Sequence, residues 1–178
     1  SGNLRMVDHY FLGPSLVRGF APSGIGPRDV LNDPTANAVG GTTYFGGTVE
    51  VQFPIWGLPR DVGLRGAIFA DAGTLFNYDG GSKSVAYACP AGSEARQYNV
   101  VTGGAQSSIG CIRDKNILRS SVGASLLWQS PLGPIRFDYA YALTKDDGQI
   151  GINPQTGLVG KYGGDRLQAF RFSGGTRF

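Results

Sequence analysis

The stretch from Leu118 to Leu143, LRSSVGASLLWQSPLGPIRFDYAYAL, constrains the fold more than any other part of the chain, because it holds two alternating runs joined by one tight turn. Counting in twos, Leu118, Ser120, Val122, Ala124, Leu126 and Trp128 share one face, while Arg119, Ser121, Gly123, Ser125, Leu127 and Gln129 share the other. Only Leu127 breaks the alternation. After Ser130-Pro131-Leu132-Gly133-Pro134 the pattern resumes, with Ile135, Phe137, Tyr139, Tyr141 and Leu143 opposed to Arg136, Asp138, Ala140 and Ala142. A period of two specifies strands, since successive side chains of an extended chain leave on opposite faces. Such a hairpin suits a soluble β-sandwich as well as a membrane barrel. Length and texture favour the barrel: a tilted strand crosses a bilayer in about 9–11 residues, and Trp128 and Tyr141 stand near opposite interfaces, as aromatic girdles do.

Glycine supplies 29 of the 178 residues, hydrophobic residues 41% and charged residues 16%, a mixture too aromatic for disorder and too glycine-rich for helical packing. The expected class is all-β. No apolar run is long enough for a spanning helix, but barrel strands escape hydropathy because half their residues are polar. The net charge of +3 comes from scattered Lys and Arg, which argues against a nucleic-acid partner or a polybasic lipid-binding segment. The chain opens on Ser1 and stops on an aromatic in mid-pattern, so it reads as a piece of a longer protein, and the lack of a visible signal peptide says nothing about export.

Along the chain, a short strand-like tail at Arg5–Phe11 leads through Gly13-Pro14 to Val17-Arg18-Gly19-Phe20. Residues 21–41 are dense in Pro and Gly, which forbids a long regular element and implies a large ordered or lumen-filling loop. Strand character returns at Thr43, with Phe45, Val49, Val51 and Phe53 opposed to Tyr44, Thr48, Glu50 and Gln52. A short connection at 56–61 leads to a partner in which Leu64, Ile68, Ala70 and Ala72 oppose Arg65, Ala67, Phe69 and Asp71. Polar, Gly-rich segments are expected between Phe76 and Ile117 and between Thr144 and Asp165, and one final strand over Leu167–Phe178. Connectors thus alternate long and short, the signature of a transmembrane barrel with trimmed inner turns and generous outer loops. Five strands cannot close such a barrel, so the remainder is expected upstream.

Several stretches in this order resemble the carboxy-terminal portion of the BamA family of outer-membrane protein assembly factors. Val17-Arg18-Gly19-Phe20 followed by Ile25-Gly26-Pro27 is similar to that family's sixth extracellular loop, and Val39-Gly40-Gly41 to the start of the strand after it. Asp71-Ala72-Gly73-Thr74 and Ser130-Pro131-Leu132-Gly133-Pro134 also match. The sister family TamA shares the arginine-glycine tip and a similar turn; the terminal Phe178 favours BamA. The resemblance implies an antiparallel sixteen-stranded transmembrane β-barrel in the bacterial outer membrane, with residues 1–42 forming a strand end and a lumen-inserting loop and 43–178 the last five strands. It also implies upstream POTRA domains, Bam lipoproteins and periplasmic chaperones as partners of those domains, and client outer-membrane proteins.

Glu50 and Asp71 fall on the non-lipid face of neighbouring strands. Arg18 is either an exposed arginine in a turn or, as the resemblance implies, the pin that holds the loop between these two carboxylates. Gly19 then lets the tip turn and Phe20 packs the lumen wall. In the final strand Phe170, Phe172, Gly174 and Phe178 share one face, which is both a lipid face and, by resemblance, an outer-membrane sorting signal. Gly174 and Gly175 together are expected to leave this end poorly paired, a weak seam suited to a lateral gate. Cys89 and Cys111 lie in one polar loop and read as a disulfide in an oxidising compartment. His9 reads as an interfacial polar residue. No metal site, cofactor, catalytic constellation or enzyme activity is expected. The expected function is insertion of β-barrel proteins by strand addition at a lateral seam; a passive channel or secretion pore plugged by the loop is the alternative.

Overall fold

The computed structural model describes residues 4–31, 36–57, 59, 62–83, 87–101, 105–131, 133–152, 154, 157 and 159–174. After a 3-10 turn at Met6–Asp8, the strands in chain order are β1 (Gly19–Phe20), β2 (Arg28–Asp29), β3 (Asn37–Ala38), β4 (Thr43–Pro54), β5 (Leu64–Phe76), β6 (Ser82–Lys83) and β7 (Glu94–Val101). There follow β8 (Ala105–Arg113), β9 (Arg119–Ser130), β10 (Gly133–Thr144), β11 (Gln149–Ile152), β12 (Val159–Tyr162), β13 (Leu167–Gln168) and β14 (Phe170–Gly174).

Five of these form one antiparallel wall in the order β14-β10-β9-β5-β4. Alternation sorts its two faces. Val49, Ile68, Tyr139, Tyr141, Leu143, Phe170 and Phe172 are each more than half exposed on one side, while Asp71, Ser125, Asp138 and Ala140 are buried on the other. Trp128, beside the short turn, donates its indole N–H to Val62 O at 3.1 Å, which fixes the ring at the rim. No helix among the described residues is long and apolar enough to cross a membrane, which is silent about strands.

The segment between Phe76 and Ile117, expected as a polar loop, carries β6, β7 and β8, which join β2 and β3 in a second sheet ordered β3-β2-β8-β7-β6, and the segment between Thr144 and Asp165 carries the β11-β12 hairpin. Hydrophobic alternation misses these strands because it reports a face in contact with lipid or core, whereas ladder hydrogen bonds form between backbones of any polarity. The disulfide Cys89–Cys111 belongs to this cap, with Cα atoms 5.6 Å apart. Asp29 stitches it to the loop: its Oδ1 accepts from the N–H of Cys111 and of Leu31, both at 3.0 Å.

Two more expectations are corrected. The Arg5–Phe11 tail is not a strand; the Asp8 carboxylate accepts from Arg5 N–H at 3.2 Å and closes a local turn, leaving only Tyr10 bridged to Gly41. His9 is not interfacial but buried, with Nδ1 3.2 Å from Val39 O and its ring tilted against Tyr78 at 4.9 Å.

Candidate functional site

Arg18 lies against the polar face of the wall because the chain before it winds into a tight turn. The N–H groups of Leu16 and Val17 both donate to Gly13 O at 3.0 Å. Val17 and Phe20 then bury completely with Ile25 and Leu75, and Leu16 and Ala142 pack around them. This apolar contact anchors the loop on β5 and β10 and delivers the residue between them to the carboxylates. Gly19 completes the tip: its φ of +91° lies in the region that disfavours side chains, and a Cβ there would stand 3.2 Å from the Cβ of Ala140.

Among the described residues the guanidinium makes four hydrogen bonds. Nε and Nη2 donate to the two oxygens of Asp71, each at 2.7 Å, in bidentate geometry, and the Arg18 backbone N–H adds a third bond to Asp71 at 3.0 Å. Nη1 donates to Glu50 Oε2 at 2.7 Å and Nη2 to Thr48 Oγ1 at 2.9 Å. The register explains this convergence, since Thr48 stands opposite Asp71 and Glu50 opposite Phe69 on paired strands. The Thr48 hydroxyl itself donates to Asp71, fixing the carboxylate. Beneath the guanidinium lies the Phe69 ring, with Cζ of Arg18 3.4 Å from its centroid, a stacked cation–π contact. Phe69 can lie there because its partner on β9 is Gly123, where a Cβ would run into the ring.

Five participants were not singled out in the sequence: Thr48 and Phe69, and with them Arg136, Asp138 and Ser125. Arg136 donates to Glu50 Oε2 at 2.6 Å, to Asp138 Oδ1 at 2.7 Å and to Ser125 Oγ at 2.9 Å, so Glu50 bridges two guanidiniums. The network therefore counts two arginines and three carboxylates, linking the loop to β4, β5, β9 and β10. Alternation puts Arg136, Asp138 and Ser125 on the same face as Glu50 and Asp71, which was the available signal; their mutual distances depend on strand order. A second buried set sits where the wall meets the cap: Arg119, at the start of β9, is bidentate to Asp165 at 3.0 and 3.1 Å, and Arg113, at the end of β8, meets Asp146 at 3.0 Å. Arg28 is also buried there and, among the described residues, donates to the backbone carbonyls of Ala36 and Ser23; burial pushes its guanidinium below its ordinary pKa.

At the other end of the wall, Phe170 and Phe172 project from the apolar face and pack on Phe137, with ring centroids 6.2 and 5.1 Å away. Gly174 is not poorly paired: it stands in register opposite Ile135, at the end of the β14 ladder. The final strand breaks instead at Ala169, between β13 and β14, because its earlier residues find a different backbone partner in β1. Gly175 and Phe178 lie outside the described residues.

An antiparallel wall with an apolar outer face, whose polar inner face receives an arginine-tipped loop, defines a segment of a transmembrane β-barrel occupied from within by its own chain. The chain belongs to the Omp85 superfamily, whose domain model matches residues 1–178. It is 34% identical over 157 residues to the outer membrane protein assembly factor BamA of Neorickettsia risticii (strain Illinois), covering 88% of this chain and 17% of that protein. To BamA of Neisseria meningitidis serogroup B (strain ATCC BAA-335 / MC58) it is 30% identical over 174 residues, covering 96% of this chain and 19% of that protein. The chain thus spans about a fifth of the length of these curated relatives. Its family and relatives are bacterial outer-membrane proteins, which makes the apolar face of the wall the lipid face.

Proposed function

We propose that the protein to which this chain contributes folds and inserts β-barrel proteins into the bacterial outer membrane, and that this segment supplies the closing-strand side of the seam at which client strands add. Arg18, held by Asp71 and Glu50 on the inner face of the wall, carries the reading. A loop fastened in this way to β4 and β5 lies against the inner face of the wall rather than in solvent. The relatives named as assembly factors support the same reading. A client strand would exchange backbone groups that lipid cannot satisfy for ladder bonds with an exposed strand edge, a step that requires no cofactor. Client outer-membrane proteins are the proposed substrates, and Bam lipoproteins and periplasmic chaperones the partners of domains beyond this segment.

The test is reconstitution of the full-length protein with its accessory partners in liposomes, following insertion of a model outer-membrane protein. Arg18→Met is expected to slow insertion at least severalfold. Normal insertion by Arg18→Met, together with raised ion conductance, would instead identify a plugged channel.

A further inference from the structure

The final strand changes partner part-way along. From Phe170 to Gly174 it runs beside β10, and Ala169 O accepts the N–H of Ala140 at 2.8 Å. There the ladder stops, although β10 itself runs on to Thr144. The preceding residues turn to the loop, with Gly19 opposite Gln168 and Phe20 opposite Leu167. Two further bonds extend the pairing: Ala21 N–H donates to Arg166 O at 2.8 Å and Arg166 N–H to Gly24 O at 2.9 Å. One side chain joins in, as Arg171 donates from Nη1 to Pro14 O at 3.1 Å. The loop occupies this position because Gly19, without a Cβ, rests directly against Ala140, at the point where the β10 ladder ends.

We infer that the loop bearing Val17-Arg18-Gly19-Phe20 is itself a strand partner of the closing strand, and that the backbone groups of Arg166–Gln168 become available to another extended chain only when the loop withdraws. The anchor and the ladder are adjacent in sequence. Arg18 is fastened to β4 and β5, and the next two residues pair with β13, so the tip cannot leave the carboxylates without pulling on the closing strand. An incoming strand recognises an edge through the same N–H and C=O groups that β1 now holds, so loop and strand compete for one site. That the incoming strand belongs to a client rests on the proposed function; the pairing and its dependence on Arg18 do not.

Hydrogen exchange followed by mass spectrometry, on the full-length protein in lipid nanodiscs without any client, tests this directly. In the unmodified protein, peptides covering 19–24 and 166–168 are expected to be protected. In Arg18→Met both should exchange faster by about tenfold or more, while Phe170–Gly174, held by β10, stays protected. Arg171→Met, which removes only the bond to Pro14, should move the same two peptides in the same direction by a smaller factor. Residues 166–168 exchanging freely in the unmodified protein, or staying protected in Arg18→Met, would overturn the inference. Because no client is present, either result is separable from a failure of the insertion assay.

Discussion

Replacing Asp71 by Asn keeps the shape of the side chain but removes the charge that the Arg18 guanidinium grips, and turns one acceptor oxygen into a donor facing donors. Asp71 receives three bonds from Arg18 and one from Thr48, and its side chain is only 2% exposed. Arg18 would keep Glu50 as a partner, so the cost should fall at the lower end of the roughly 3–5 kcal/mol lost when a confined ion pair is broken. Arg18→Met should cost more within that range, because it leaves the nearly inaccessible Asp71 carboxylate without a cation, held only by Thr48 and the backbone N–H of residue 18. Glu50→Gln should cost least, about 1.5–3 kcal/mol, since Arg18 remains bidentate to Asp71 and Arg136 keeps Asp138. The order Arg18→Met, Asp71→Asn, Glu50→Gln can be read from urea unfolding of the full-length protein in detergent, followed by its heat-modifiable mobility. In Asp71→Asn with Arg18→Met no charge is stranded between the pair, so the double variant should be more stable than the sum of the singles by about 0.5–3 kcal/mol. Additive losses, or Glu50→Gln as the most damaging change, would refute the network as described.

Gly123→Val should destabilise the barrel by at least about 1–3 kcal/mol through overpacking against the backbone of Tyr139 and the Phe69 ring, seen as a lower unfolding midpoint. The double variant Cys89→Ser with Cys111→Ser removes a link spanning 22 residues, which should cost about 3 kcal/mol in the chain-entropy account and expose the cap to limited proteolysis at lower protease concentration. Gly174→Val should be neutral or stabilising by about 0.5–1 kcal/mol, because Gly174 is paired in β14 and the nearest atom to an added Cβ is 3.9 Å away; a lowered thermal midpoint would show that this end needs its glycine.

The wall was legible because lipid and lumen impose opposite solvents on alternate residues, and that alternation is written into Arg119–Ser130 and Gly133–Thr144 without reference to any other part of the chain. The same alternation put Glu50, Asp71, Arg136 and Asp138 on one face. It could not say that Glu50 and Arg136, on β4 and β10 with two strands between them, would touch, since that is decided by strand order and register. The cap strands were hidden for the complementary reason. Neither lipid nor a large core sorts their side chains, and only the ladder partners of β2, β7 and β8 make them strands. The division of the final strand at Ala169 is only hinted at in the sequence, where Gln168 breaks the face shared by Phe170, Phe172 and Gly174; the loop backbone, seated against Ala140 through Gly19, decides which half pairs with the sheet. Side-chain pattern fixes which way a strand faces, whereas backbone pairing is nearly blind to side chains and goes to whichever extended segment tertiary packing brings within reach.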